Sequence, residues 1–350
     1  MDLKKLLSTV IEKQASDLHL TVAKPPTLRI DDKLTPIAGE VALDFESAKK
    51  LILQLLTSGQ KEKLEMAREI DFSYSFNNKG RFRVNVYFQK GELAAALRLI
   101  PTKIRTLREL GLPESLSEFA KAQQGFFLSV GPAGHGKTTT CASLVDIINH
   151  SRTDHIITIE DPIEYVFTAD KCLIDQREVG QDTNSFPRAL RSCLRQDPDV
   201  IFVGEMRDYE TIATAATLAE TGHLVISTLH TNNASQTIDR MVDVFPPYQQ
   251  QQIRFQIANT LLGIVSQRLI PKIKGGRIVA CEIMKATPAV RNLIREGKTY
   301  QLDNIIQTSQ EEGMIPLDLA LMKFVQNKII RYEDGLAYAL DRKNFERMVK

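Results

Sequence analysis

The chain has 350 residues, of which 43% are hydrophobic and 25% are charged, as in ordinary globular proteins. The formal net charge of +2 excludes a bulk electrostatic attraction to nucleic acid or to a membrane surface. The four cysteines are scattered without C-x-x-C spacing, which predicts reduced thiols rather than disulfides or a zinc site. No apolar run reaches the length of a membrane span or of a signal peptide's hydrophobic region.

The first part of the chain predicts a separate α+β domain over residues 1–100. Its predicted helices cover about 3–12, 45–57 and 59–68, and its predicted strands cover 17–21, 27–30, 81–89 and 92–100. Arg81 and Arg83 lie on one face of the third strand, opposite its apolar residues, and Arg98 lies on the next strand. A solvated sheet face accounts for these arginines about as well as a functional cluster does.

A linker is predicted over 101–113, followed by a second domain over 114–286 and a C-terminal helical region over 287–350. Apolar strands in the second domain alternate with helices, which favours a mainly parallel sheet covered by helices. The predicted strands are 126–130, 156–159, 200–203 and 224–229. Helices are predicted at 115–122, 138–148, about 249–267, 288–296, 302–311, 316–327 and 332–340. Ligands of such sheets bind where the strands end.

A phosphate-binding loop follows the first of these strands. The sequence GPAGHGKT at residues 131–138 fits the pattern G-x-x-x-x-G-K-[ST] and lies between a predicted strand and a predicted helix. Its backbone N–H groups and the helix N-terminus favour phosphate oxygens, Lys137 reaches the β/γ-phosphates, and the Thr138 hydroxyl provides a Mg²⁺ ligand. The predicted nucleotide-binding residues are Gly131, Gly134, His135, Gly136, Lys137, Thr138 and Thr139. The sequence therefore predicts a protein that binds ATP with Mg²⁺.

Acidic residues follow two of the other predicted strands. Glu160 and Glu164 come directly after the strand at 156–159, and Glu205 follows the strand at 200–203. Gly204 stands where many P-loop enzymes place an aspartate that binds Mg²⁺, so Glu205 is the candidate to polarise the attacking water. Taken alone, Glu205 also fits a helix cap or a salt bridge. The neighbouring phosphate-binding loop favours the catalytic interpretation.

Two histidines and a set of arginines complete the candidate residues. His223 and His230 stand at the two ends of the strand at 224–229, where they are either structural hydrogen-bond donors or phosphate sensors. Arg188, Arg191 and Arg195 have the spacing of one helix face. In a monomer these arginines would form a solvated stripe. In a ring of subunits they are a candidate interface or a source of positive charge for a neighbour's nucleotide.

Several segments together resemble the type IV pilus retraction ATPases, a group of secretion ATPases. They are SDLHL, GPAGHGKTTT, TIEDPIEY, LRQDPDVIFVGEMRD, TLAETGHLVISTLHTN and AVRNLIREGK, in the order of the family. The resemblance implies a PAS-like N-terminal domain, a RecA-like ATPase domain and a homohexamer that holds ATP between its subunits. It implies that Glu160, Asp161 and Glu164 form the Asp box of the family and that His223 and His230 form its His box. It also implies that Glu205 is the catalytic residue. It also implies that Arg81, Arg83 and Arg98 face phosphates.

The resemblance further implies a cytoplasmic motor docked at the inner face of the inner membrane. Its partners would be an inner-membrane pilus platform protein and a second retraction ATPase, with no nucleic acid. A paired-cysteine zinc insertion, usual in pilus assembly ATPases, is absent from the sequence, which favours retraction. The alternatives are an accessory retraction ATPase, another secretion or assembly ATPase, and a ring subunit that binds nucleotide without hydrolysing it.

Two residues of the phosphate-binding loop depart from the family pattern. His135 replaces the usual serine, and Ala133 replaces a common threonine. The bulky imidazole is expected to leave nucleotide binding intact and to affect the rate of ATP hydrolysis. The segment AVRNLIREGK is expected to couple hydrolysis to retraction, with Arg291 and Arg295 forming an exposed basic ridge.

Overall fold

The computed structural model describes residues 2–30, 33–77, 79–101 and 103–349. The chain divides into two compact units, one containing Met1–Lys103 with Pro162–Val166 and the other containing Ile104–Asp161 with Phe167–Lys350. Among the described residues, no helix combines the length and the apolar composition that crossing a membrane requires.

The N-terminal unit is built on a six-stranded antiparallel sheet in the order β3-β2-β1-β6-β5-β4. Its strands are β1 Asp17–Leu20, β2 Thr27–Ile30, β3 Lys33–Pro36, β4 Glu69–Phe76, β5 Gly80–Gln89 and β6 Glu92–Ile100, and its helices are α1 Leu3–Glu12, α2 Phe45–Leu53 and α3 Ser58–Ala67. Along β5 the apolar residues Phe82, Val84 and Val86 are fully buried, whereas Arg83 between them is exposed. The period of two therefore sets one face of the sheet against the core.

The second unit is built on a seven-stranded sheet in the order β13-β12-β7-β11-β10-β8-β9. Its strands are β7 Gly125–Val130, β8 His155–Glu160, β9 Leu173–Glu178, β10 Val200–Val203, β11 Leu224–Leu229, β12 Leu261–Pro271 and β13 Arg277–Lys285. All neighbouring strands are parallel except β12 and β13. The carboxyl ends of the parallel strands therefore meet at one edge of the sheet.

Helices cover this sheet. They are α4 Leu107–Leu110, α5 Ser117–Lys121, α6 Lys137–Ser151, α7 Phe186–Cys193, α8 Tyr209–Glu220, α9 Ala234–Asp243, α10 Pro247–Thr260, α11 Pro288–Arg295, α12 Leu302–Thr308, α13 Leu317–Gln326, α14 Tyr332–Tyr338 and α15 Arg342–Val349, with short 3₁₀ turns at Glu114–Leu116, Thr299–Gln301 and Gln310–Glu312. The hydrophobic core on one face of this sheet contains residues of β7, β8, β10 and β11 together with residues of α7, α8, α9, α10, α11 and α12.

One expected segment boundary is wrong, and the predicted linker carries a short helix. The predicted helix over 249–267 ends at Thr260, and β12 begins at the next residue. Residues 263–268 of β12 are all buried, and a strand buried on both sides has no alternation that separates it from a helix. The predicted linker contains α4, whose Leu107 is buried together with Leu112, and this helix belongs to the second unit. The helices after residue 287 also belong to that unit.

Candidate nucleotide-binding site

The phosphate-binding loop joins the end of β7 to the start of α6. Gly131 has a φ of +146°, and a Cβ added there would lie 2.5 Å from the carbonyl oxygen of Gln267. Only glycine fits this position, because a side chain would collide with the backbone of β12. Gly136 adopts a left-handed conformation before the first turn of α6, and Lys137 is the first residue of that helix. The loop therefore presents Lys137 at a helix N-terminus, where anions bind.

Lys137 is connected to Glu205 through His230. The Lys137 Nζ atom lies 3.0 Å from the carbonyl oxygen of Pro132 and 3.3 Å from Nδ1 of His230. The Nε2 atom of the same imidazole lies 3.2 Å from Oε1 of Glu205. Because Lys137 can only donate, Nδ1 of His230 accepts, and the proton on Nε2 is donated to the carboxylate. One neutral imidazole thus joins the phosphate-binding lysine to the candidate catalytic acid.

Arg207 holds Glu205 from the other side. Its Nε and Nη2 atoms lie 2.6 and 2.8 Å from the two carboxylate oxygens, a bidentate arrangement. Burial raises the pKa of Glu205, but the hydrogen bond and charge of Arg207, with the charge of Lys137, outweigh it and lower the pKa overall. Glu205 is therefore ionised at neutral pH. The sequence analysis missed Arg207, although its position two residues after Glu205 was the available signal.

Glu160 and Gly204 show why this edge carries no aspartate after β10. Glu160 is 2% exposed, and its Oε1 accepts hydrogen bonds from the Thr158 hydroxyl at 2.7 Å and from the Gln176 amide at 3.3 Å. A Cβ added at Gly204 would lie 3.3 Å from Cα of Glu160 and from the carbonyl oxygen of Ile159. A larger residue at 204 would therefore press against β8, and Glu205 is the first acidic residue after β10.

The sequence analysis missed β12, which supports the phosphate-binding loop. Gln267 is 2% exposed, and its Nε2 donates to the carbonyl oxygen of His135 at 2.8 Å. Its Oε1 accepts from the hydroxyls of Thr140 at 2.9 Å and of Ser129 at 3.2 Å. One buried amide therefore ties together the end of β7, the apex of the loop and the first turn of α6. The run of polar residues at 266–268 inside an apolar segment was the available signal.

The other face of β12 supports the loop that carries His230. The Ser266 hydroxyl and the Arg268 guanidinium both donate to the carbonyl oxygen of Asn232 at 2.8 Å. Behind this loop, the buried Oε1 of Glu282 accepts from the backbone N–H of Ala234 at 2.8 Å. Alternate residues of one strand thus position the two loops that meet at Lys137 and His230.

The structure does not bring His223 to this cluster, and it groups Glu164 with the other unit. His223 precedes β11 and binds the carbonyl oxygen of Leu218 at 3.0 Å, whereas His230 follows the same strand. The length of the strand separates the two histidines by about 20 Å, so His223 does not share the edge that carries Lys137 and His230. Glu164 is exposed and lies in Pro162–Val166, the segment grouped with the N-terminal unit. Sequence proximity to Glu160 did not predict this division.

In the N-terminal unit the predicted arginines share one face of the sheet. Arg83 on β5 is the register partner of Arg98 on β6, which in turn is opposite Asp17 on β1. The Nε atom of Arg98 lies 2.9 Å from Asp17, and that of Arg29 lies 3.8 Å from the same carboxylate. Arg81 lies two residues before Arg83 on the same face. The row carries more positive than negative charge, which suits an anion.

Two other sets of arginines differ from expectation. The helix α7 ends at Cys193, so Arg195 lies beyond it, and Arg191 forms an ion pair of 3.6 Å with Glu210. Arg291 does not form part of an exposed basic ridge, contrary to expectation. Its guanidinium lies 2.5–3.0 Å from the carbonyl oxygens of Ala258, Asn259, Leu261 and Ala286. It therefore caps the C-terminus of α10, where cations are stabilised by the helix dipole.

Comparisons with known proteins agree with this fold and site. The family described as "Type II/IV secretion system protein" matches residues 1–276. The type IV pilus retraction ATPase PilT of Pseudomonas aeruginosa is 45% identical over 99% of this chain and 100% of its own length. The type IV pilus ATPase PilU of the same organism is 38% identical over 100% of this chain and 92% of its own.

A crystal structure of the pilus retraction motor PilT with bound ADP superposes with a TM-score of 0.92 and 45% identity, covering 99% of both chains. This similarity confirms the predicted fold class, an α/β chain with a PAS-like α+β domain before a RecA-like ATPase domain. The chain belongs to the type II/IV secretion system protein family, and within it to the type IV pilus retraction ATPases.

Proposed function

We propose that this chain is a motor that hydrolyses ATP to retract type IV pili by depolymerising pilin. The observation that carries the proposal is the connection from Lys137 through His230 to Glu205 at the edge where β7, β10 and β11 end. The residue that binds phosphate and the residue that positions water are there linked by one imidazole. A nucleotide phosphate placed against Lys137 is therefore sensed at Glu205.

The roles follow from the chemistry of each group. The loop Gly131–Thr138 and Thr139 bind the phosphates, and Lys137 neutralises their charge. Glu205 polarises the attacking water once the Arg207 fork releases it, since a paired carboxylate is a weaker base. Glu160 supports this edge from its buried position, and His230 transmits the state of the phosphates.

Mg²⁺ is the metal that fits the residues present. The Thr138 hydroxyl stands in the first turn of α6, and its oxygen is a ligand type that Mg²⁺ prefers. Within the described residues, no group of three or more His, Cys, Asp and Glu side chains could hold a metal by itself. Phosphate oxygens and Thr138 would therefore supply the ligands, and the ion would neutralise the charge that develops on the γ-phosphate.

We place the motor in a homohexamer in which Arg81, Arg83 and Arg98 supply positive charge to a nucleotide held by another domain or subunit. The excess of positive charge along the row supports this role. In the cell the ring would act at the inner face of the inner membrane on the pilus platform protein, beside a second retraction ATPase. Nucleic acid is not a proposed partner.

The accessory retraction ATPase is the alternative that remains closest, since PilU also aligns with the whole chain. The alternative of a ring that does not hydrolyse ATP loses its support, which was the bulk of His135 near the phosphates. The His135 ring is bonded to β12 through Nδ1, at 2.9 Å from the backbone nitrogen of Leu269.

The proposal is tested by deleting the gene in the source organism and measuring surface pili and twitching. A retraction motor is expected to leave pili on the surface and abolish twitching. Loss of surface pili would instead indicate an assembly ATPase. Single-turnover ATP hydrolysis by the purified ring, compared with Glu205→Gln, separates a motor from a ring that only binds nucleotide.

A further inference from the structure

His135, at the apex of the phosphate-binding loop, accepts two hydrogen bonds from β12. The carbonyl oxygen of His135 accepts from Nε2 of Gln267 at 2.8 Å. The Nδ1 atom of His135 accepts from the backbone N–H of Leu269 at 2.9 Å. Gln267 and Leu269 are two residues apart on β12, so the backbone and the side chain of His135 are both held by one short segment of that strand.

The second bond fixes the protonation state of the imidazole. A backbone N–H can only donate, so Nδ1 of His135 must keep its lone pair and the proton must be on Nε2. The charged groups around the ring are Lys137 from α6, Arg268 from β12 and Arg277 from β13, and the Tyr338 ring of α14 lies 6.2 Å away between centroids. Burial first, and then these cations, lower the pKa of His135 below its ordinary value of 6.5.

We propose that His135 is a positioning residue, which latches the phosphate-binding loop to β12 when its imidazole is neutral and releases the loop when the imidazole is protonated. A protonated ring carries an N–H on Nδ1, which would face the N–H of Leu269 and break the bond. The loop would then lose one of its two attachments at the apex. Its N–H groups would be less well ordered for phosphate, and nucleotide affinity would fall.

The latch rests on the nucleotide binding given under the proposed function. Its direction follows from the sign of the pKa shift. Above pH 6.5 the ring is neutral in both the folded and the unfolded chain, so the latch is fully present. As pH falls through the lowered pKa of the folded protein, the ring is protonated and the latch is lost. A protonated histidine that instead attracted phosphate would make binding tighter at low pH.

The test compares ADP binding, by calorimetry with Mg²⁺ on the full chain, between wild type, His135→Asn and His135→Leu. The Asn side chain places Oδ1 near the position of Nδ1 and cannot titrate, whereas Leu has no acceptor. At pH 8 the Leu variant is expected to bind ADP about tenfold more weakly than the Asn variant, because the Leu269 N–H loses its hydrogen-bond acceptor. At pH 5.5 wild type should weaken about threefold or more relative to the Asn variant.

The ratio of wild type to the Asn variant removes the titration of ADP itself, which is common to both. A ratio that stays constant between pH 5.5 and 8, or that shifts toward tighter binding by wild type in acid, would overturn the proposal. If the Leu variant does not fold, the ratio of ADP affinities of wild type and the Asn variant at the two pH values still tests the proposal. Failure of all three proteins to bind ADP at pH 8 would instead reject the proposed function.

Discussion

At the carboxyl edge of the seven-stranded sheet, charged residues form a chain of paired contacts. Lys137, His230, Glu205 and Arg207 follow one another at distances of 2.6–3.3 Å. On the exposed face of the six-stranded sheet, Arg83 and Arg98 are direct register partners, and Asp17 is the carboxylate that contacts Arg98 and Arg29. The first arrangement is complete within its own unit, whereas like charges on adjacent strands are unfavourable without an anion. The seven-stranded sheet thus carries a preorganised cluster, and we propose that the arginine row of the six-stranded sheet is stabilised when an anion binds to it.

The largest expected effect comes from removing the Lys137 side chain, the first of the four contacting residues. Lys137→Ala should abolish measurable binding of ATP, because Lys137 is the buried cation at the start of α6 that would neutralise the phosphate charge. Calorimetry against ADP and ATP measures it, with circular dichroism as the control for folding. Binding within tenfold of wild type would show that the backbone N–H groups alone hold the nucleotide.

Glu205→Gln should keep nucleotide binding and lower turnover by about two to four decades, as expected for loss of a general base. The Gln amide has about the size of the carboxylate but lacks the negative charge that pairs with Arg207. Single-turnover hydrolysis with matched ATP affinity is the measurement. A wild-type rate would transfer the role of base to another carboxylate, with Glu164 as the next candidate.

Arg291 tests how much a paired cation contributes when its partners are backbone carbonyls. Arg291→Ala should lower the free energy of unfolding by about 2–3 kcal/mol, since it removes several charge-assisted hydrogen bonds at the end of α10. Arg295→Ala is the matched control, because Arg295 makes one hydrogen bond to the Asn259 side chain and should cost under about 1 kcal/mol. Urea unfolding decides the comparison. Equal effects would show that Arg291 acts as ordinary surface charge.

Glu282 on β13 tests how a buried carboxyl group affects the stability of the seven-stranded sheet. Burial raises its pKa to about 7, against an ordinary value of 4.5. Because the folded pKa is the higher one, the folded state favours the protonated carboxyl, and the free energy of unfolding falls as pH rises from 4.5 through 7. This loss should reach about 3 kcal/mol in wild type. Glu282→Gln keeps the acceptor for Ala234 and should show a loss smaller by about that amount. Identical pH profiles would place the titration on other groups.

The smallest effect is expected on the arginine row. Arg83→Lys should lower ATP turnover about tenfold without lowering stability, because lysine lacks the planar fork that binds phosphate oxygens. Turnover of wild type should also rise with protein concentration as rings form. Full activity of dilute monomers, or an unchanged rate in the variant, would remove the arginine row from the nucleotide site and end the contrast between the two sheets.

The sequence by itself determined the elements whose signals are local. The phosphate-binding loop, the strands β7, β10 and β11, and the alternation of β5 depend on neighbouring residues, so their positions agree with prediction within one or two residues. The positions of Lys137, Glu205 and His230 at one edge also follow, since parallel strands bring their carboxyl ends together. Local periodicity and the parallel rule were sufficient for this part.

Only the tertiary structure decided how those residues are held. The strand β12 is buried on both sides, so no periodicity marked it, yet its Gln267 and Arg268 position the two loops of the site. Arg291 has the spacing of a surface ridge, but its partners lie on α10, about thirty residues earlier in the chain. His135 is also held by a contact that is distant in sequence. Its hydrogen-bond partner is a backbone N–H on a distant strand, and a backbone donor leaves no trace in the sequence.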